Sequence, residues 1–114
     1  MPYTIEYFNP SVQADLDGWP AGLRARYRAL ILRMLEHGPD LGMPHTRAMG
    51  GGLYEIRAKT AEGIGRALYC TRVGQRIVIL HAFVKKTDKT PVRDLALARR
   101  RITEVLHHEQ ERRQ

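Results

Sequence analysis

The chain has 114 residues, the size of one domain and too short for two ordinary ones. Its 19 Lys and Arg outnumber 12 acidic residues, for a formal charge of +7, and a hydrophobic share of 43% suffices for a packed core. Extensive disorder is thereby excluded, and no apolar run approaches the roughly 18 residues of a membrane span. The segment MPYTIEYF has neither the basic stretch nor the apolar run of a secretion signal. A lone cysteine, Cys70, allows no internal disulfide, so a cytoplasmic setting without a membrane partner is expected.

Charge is unevenly placed. Residues 1–40 balance to −1 and residues 41–114 to +8. Such an excess in one part of a small domain points to a polyanionic partner, with nucleic acid first and an acidic protein as the rival. A basic but idle surface is the plain alternative.

In chain order, Tyr3 to Phe8 reads as a short strand with Tyr3, Ile5 and Tyr7 on one face. Asn9-Pro10 supplies a helix cap and first turn, and Gly18 and Pro20 keep that helix short. Pro20 opens a second helix reaching His37, stopped by Gly38-Pro39. Leu23, Tyr27, Leu30, Ile31, Met34 and Leu35 form its apolar stripe, with Arg24, Arg26, Arg28 and Arg33 mainly off it. Residues 38–52, rich in Gly and Pro, read as an irregular connection.

Three strands are expected next. Leu53–Lys59 alternates, with Tyr54, Ile56 and Ala58 on one side and Glu55, Arg57 and Lys59 on the other. Ile64–Thr71 follows, then a tight turn at Val73-Gly74-Gln75 and Arg76–Lys85, whose run IVILHAFV marks a central strand buried on both faces. Thr90-Pro91 starts a last helix with Leu95, Ala98, Ile102, Val105 and Leu106 on its apolar face. The polar tail at 107–114 is expected to fray. The order β-α-α-β-β-β-α gives a single α+β domain over residues 1–114 with a mostly antiparallel sheet.

For chemistry, Gly50-Gly51-Gly52 lacks the surroundings of a nucleotide-binding loop, and the five histidines show no metal-ligand spacing. Cys70, inside an apolar strand, reads as a core thiol rather than a nucleophile. The cations on the sheet stand out: Arg57 and Lys59 on one strand, Arg66 on the next, Lys85 and Lys86 where the third ends. An Arg inside a strand fit for burial needs an explanation. Arg66 either pairs with Glu55 on the neighbouring strand or presents its planar fork to a phosphate. The Lys85–Thr90 run is likewise either a solvated turn or part of that phosphate site.

Taken in order, GLYEIR, GRALY and HAFVKKTDKTP, followed by Leu95-Ala96-Leu97-Ala98-Arg99, resemble the phage-derived Gp49-like branch of the HigB toxins, within the RelE/ParE toxin superfamily, over about residues 1–106. The resemblance implies a RelE-like fold and a type II toxin–antitoxin system. It further implies an endoribonuclease that cleaves mRNA on the translating ribosome through 2′-hydroxyl attack. No metal or other cofactor is implied, and the partner is a helix-turn-helix antitoxin of the HigA kind. Matched residue by residue, Arg66 holds the scissile phosphate and Arg57 binds phosphate from the preceding strand. Lys86 stabilises charge or protonates the leaving oxygen, and Glu55 is either a general base or a partner of Arg66. Lys59, Lys85, Lys89, Arg99, Arg100 and Arg101 are expected along the RNA backbone.

The C-terminal Tyr or His of many members has no counterpart in Val92 to Leu97. His81 is the nearest substitute, but strict alternation places it with Ile77, Ile79 and Phe83, as a core residue. Two alternatives follow: a toxin that inhibits DNA gyrase without catalysis, and a basic nucleic-acid-binding module.

Overall fold

The computed structural model describes residues 2–86 and 89–113, for 111–113 the backbone alone; Thr87, Asp88 and Gln114, parts of the expected lysine run and tail, lie outside the described residues. Strand β1 (Thr4–Tyr7) leads into helix α1 (Pro10–Asp17), where the Asn9 side chain accepts from the Val12 amide at 2.9 Å, as an N-cap does. Helix α2 (Ala21–His37) ends at Gly38, whose φ of +110° suits a residue without Cβ. Leu23, Tyr27, Leu30, Ile31 and Met34 are buried, so the arginine-flanked stripe is core.

A strand then appears inside the stretch expected to be irregular. β2 (Thr46–Gly50) pairs antiparallel with β3 (Leu53–Thr60), followed by β4 (Gly63–Arg72) and β5 (Arg76–Lys85). The five-stranded sheet has the order β1-β5-β4-β3-β2, with β1 parallel to β5 and all other pairs antiparallel. β2 is an edge strand whose outer positions face solvent, so its sequence need show no apolar alternation; backbone pairing alone defines it.

Two cores form, one on each face of the sheet. Helices α1 and α2 cover Ile56, Ala58, Ala67, Tyr69, Ile77, Ile79 and Ala82. Trp19 lies so close over Gly65 that any Cβ there would collide with the ring. On the opposite face, helix α3 (Val92–Arg113) brings Leu95, Ala98, Ile102 and Val105 onto Leu53, Leu68, Cys70, Val78 and Leu80. Leu106, expected on that apolar face, is exposed instead. Helix α3 also runs on through the segment expected to fray, as far as Arg113. Glu109 secures it by meeting Arg72 and, at 3.0 Å, Arg76, which in turn pairs with Glu6 of β1.

The β4–β5 ladder contains a bulge: Leu68 pairs with His81 but Tyr69 with Ile79, leaving Leu80 extra. Leu80 and His81 therefore both point to the α3 side, and alternation resumes with Ala82 inward and Phe83 on the α3 side. His81 thus leaves the company of Ile77 and Ile79 and pairs with Asp94 of α3 at 2.7 Å. The Arg101 guanidinium donates to the Leu80 carbonyl at 2.7 Å and stacks on Phe8, 4.8 Å from the ring centre.

Candidate functional site

On β3, alternation sends Glu55, Arg57 and Lys59 to the α3 side of the sheet, where cross-strand register sets Arg57 opposite Arg66. Glu55 and Arg66 are both 0% exposed. A charge in such a place must be paired or hydrogen-bonded. The partner is Thr90, in the connection before α3: its hydroxyl accepts from Arg66 Nη1 at 3.0 Å and donates to Glu55 Oε2 at 2.5 Å. Arg66 Nη1 stands 4.0 Å from the same carboxylate oxygen. Of the two readings of Arg66, the pair with Glu55 is the one seen. Among the described residues, both side chains are fully buried.

The other carboxylate oxygen of Glu55 faces outward. Oε1 lies 3.3 Å from Arg47 Nη2 and 3.6 Å from Arg57 Nε. One carboxylate thus orients three guanidiniums, and the surplus positive charge is directed toward the surface. There the β2 partner of β3 runs out: Thr46 pairs with Ile56, and only the His45 carbonyl continues, accepting from the Arg57 amide at 2.8 Å. Arg26 of α2 closes this open edge, forming with Pro44, His45, Arg47, Arg57 and Lys59 a cleft of about 470 Å³. Four permanent cations and an imidazole around one opening make an anion site, suited to phosphodiester groups by the forked geometry of arginine.

Nothing about a histidine in a Gly/Pro-rich loop marks His45 in the sequence. In the fold, Arg26 Nη2 approaches His45 Nδ1 to 3.3 Å. Burial lowers the His45 pKa below its usual value, and the positive charges of Arg33 and Arg26 lower it further. Cys70, by contrast, is a buried core thiol whose pKa burial pushes up to about 11, away from thiolate chemistry.

The remaining expected residues divide. Lys59 is exposed and borders a second depression of about 350 Å³ with Lys86, so the two lysines extend the basic cleft around the β3–β4 turn. Lys85, across Ile64 from Lys59 in the register, and Lys89 are exposed. Arg100 is exposed on α3, whereas Arg99 donates to the carbonyls of Met49 and Gly50 and Arg101 to that of Leu80. Arg99 and Arg101 therefore tie α3 to the sheet.

A family model described as phage-derived protein Gp49-like (DUF891) matches residues 14–103. Among solved structures, the crystal structure of the archaeal RelE–RelB complex from Pyrococcus horikoshii OT3 matches with a TM-score of 0.50 at 18% identity, covering 74% of this chain and 96% of that one. No curated protein matches the chain. The α+β fold with a mostly antiparallel five-stranded sheet is that of RelE, and the residues matched by the family model include β3, β4, β5 and the first half of α3, with the GLYEIR, GRALY and HAFVKKTDKTP segments. The chain belongs to the phage-derived Gp49-like family.

Proposed function

We propose that this protein is the toxin of a type II toxin–antitoxin system and that it cleaves mRNA on the translating ribosome. Family membership and the fold shared with RelE support the toxin reading. The observation that carries the nuclease reading is the cleft of Arg26, His45, Arg47, Arg57 and Lys59, with Lys86 beyond its rim. In the proposed reaction a ribose 2′-oxygen attacks the adjacent phosphorus and the bond to the 5′-oxygen breaks. The products are a 2′,3′-cyclic phosphate and a 5′-hydroxyl. Attack crowds negative charge onto the phosphorane, which fixed cations stabilise without reorganising. Arg57 and Lys59 are the phosphate ligands in this reading, and Lys86 faces the leaving oxygen. Glu55 and Arg66 act at one remove, as positioning residues that hold Arg47, Arg57 and the lysine-bearing connection through Thr90. The ribosome supplies much of the substrate alignment. The partner that silences the toxin is a helix-turn-helix antitoxin of the HigA kind, and the solved neighbour, itself a complex of RelE with RelB, supports a protein partner.

Induced expression in a bacterial host, with 5′-end mapping of cellular mRNA, tests the reading. Codon-phased cuts are expected from the parent chain, falling by at least about 100-fold in an Arg57→Ala/Lys59→Ala variant, the scale of lost electrostatic stabilisers. Growth arrest with intact mRNA would reject the nuclease and leave gyrase as the target to examine. No arrest would reject the toxin itself.

A further inference from the structure

The reaction needs a group to take the 2′-hydroxyl proton, and the C-terminal Tyr or His that the resemblance leads one to expect is not present in Val92–Leu97. Glu55 is enclosed by three arginines and Thr90. His81 has its Nε2 against the Asp94 carboxylate and lies outside the basic cleft. His45 is different on each count. It lines the cleft, is partly exposed, and stands among Arg26 from α2, Arg47 from β2, and Arg57 and Lys59 from β3. In the preceding loop Asp40 is turned toward the Thr46 hydroxyl and the Gly42 amide, and among the described residues no carboxylate is seen bonded to the imidazole.

Resting on the nuclease reading above, we infer that His45 is the base that accepts the 2′-hydroxyl proton, and that Arg26 covers and uncovers its reactive nitrogen. An arginine is always a donor, so the 3.3 Å contact makes Nδ1 the acceptor and leaves the neutral ring protonated at Nε2. The lone pair that a base needs is therefore the one Arg26 occupies. A phosphate entering the cleft offers that guanidinium a charged, bidentate partner, which is stronger than a neutral ring nitrogen. Arg26 moves to the phosphate and Nδ1 is free as substrate arrives. The proton passes from the 2′-oxygen to Nδ1 and the oxygen–phosphorus bond forms. The phosphorus–5′-oxygen bond breaks as that oxygen gains a proton from water or Lys86, and His45 returns its proton to solvent. Burial first, then the charges of Arg33 and Arg26 on α2, favour the unprotonated ring, so the base form is already present near neutral pH.

The test is single-turnover cleavage of mRNA on programmed ribosomes from pH 5 to 8, with the full chain and with His45→Gln. The parent rate is expected to rise with pH through the lowered histidine pKa and then level off. The variant is expected to be at least about 100-fold slower, to lack that rising limb, and to bind the ribosome as tightly as the parent. Undiminished cleavage by His45→Gln, or a slow variant that keeps the rising limb, would overturn the assignment while leaving the nuclease in place. A parent that cleaves nothing would overturn the nuclease reading and this assignment together. Long-range proton–nitrogen spectra of the parent alone guard against a variant that fails to fold. They should show the Nε2–H tautomer at His45, shifting when a trinucleotide with a 2′-deoxy scissile ribose is added. An Nδ1–H tautomer would refute the arrangement with Arg26.

Discussion

Arg66 is a charge with its partners inside the protein. Its guanidinium shares Thr90 with Glu55 inside the protein, and Glu55 in turn holds Arg47 and Arg57 at the cleft. Removing one partner of a buried pair leaves the other charge uncompensated, at about 3–5 kcal/mol. A small domain has only about 5–15 kcal/mol of stability in total. Arg66→Ala is therefore expected to lose at least about a fifth of the unfolding free energy, read as a lower urea midpoint, and, on the proposed function, to lose toxicity through misfolding. A variant with the parent's urea midpoint would place Arg66 outside the structural core. The sequence narrowed Arg66 to two roles because a strand interior tolerates no idle arginine. It stopped there because the deciding partner, Thr90, lies 24 residues along the chain and offers only a hydroxyl. His45 was invisible for a related reason: the groups that surround it come from α2, β2 and β3.

At the scale of elements, periodicity located α2, α3 and four of the five strands, while the Asn9-Pro10 cap and the Gly18 and Pro20 breakers located α1. It failed where backbone rather than side chains sets the structure. β2 has no apolar alternation to read, and the bulge at Leu80 shifts the phase of β5 halfway along, moving His81 from one core to the rim of the other. Arg101 donates to the backbone at that bulge and packs on Phe8. Arg101→Ala strips the Leu80 carbonyl of a charged donor, worth about 1–3 kcal/mol, and the ring of a cation, worth about 0.5–2 kcal/mol. Stability should fall by about 2 kcal/mol in denaturant titration, while RNA binding by folded protein stays at the parent level. A drop in RNA affinity without a drop in stability would return Arg101 to the nucleic-acid surface.

Across the whole molecule, the +7 charge divides into cations that hold the fold and cations that face outward. Arg72 and Arg76 are neutralised by Glu109 and Glu6, Arg99 and Arg101 cap backbone carbonyls, and Arg66 is enclosed. The sequence displayed the total and its bias to residues 41–114 but could not make this division, which depends on partners brought together by folding. Arg26, from the segment that balances to −1, even joins the cleft. If phosphates bind there, affinity must follow counterion release, with a log–log salt slope of about −0.7 for each single-strand phosphate neutralised. The four cleft cations, Arg26, Arg47, Arg57 and Lys59, then predict a slope of about −3 for single-stranded RNA bound to the full chain. Lys59→Ala should flatten the slope by about 0.7, whereas Arg99→Ala, whose guanidinium serves the carbonyls of Met49 and Gly50, should leave it unchanged. Fluorescence anisotropy over a salt series measures both. A slope that responds to Arg99 and ignores Lys59 would move the RNA path from the β3 edge to α3. Because the comparison is between slopes rather than affinities, a modest loss of stability in either variant does not imitate the expected pattern.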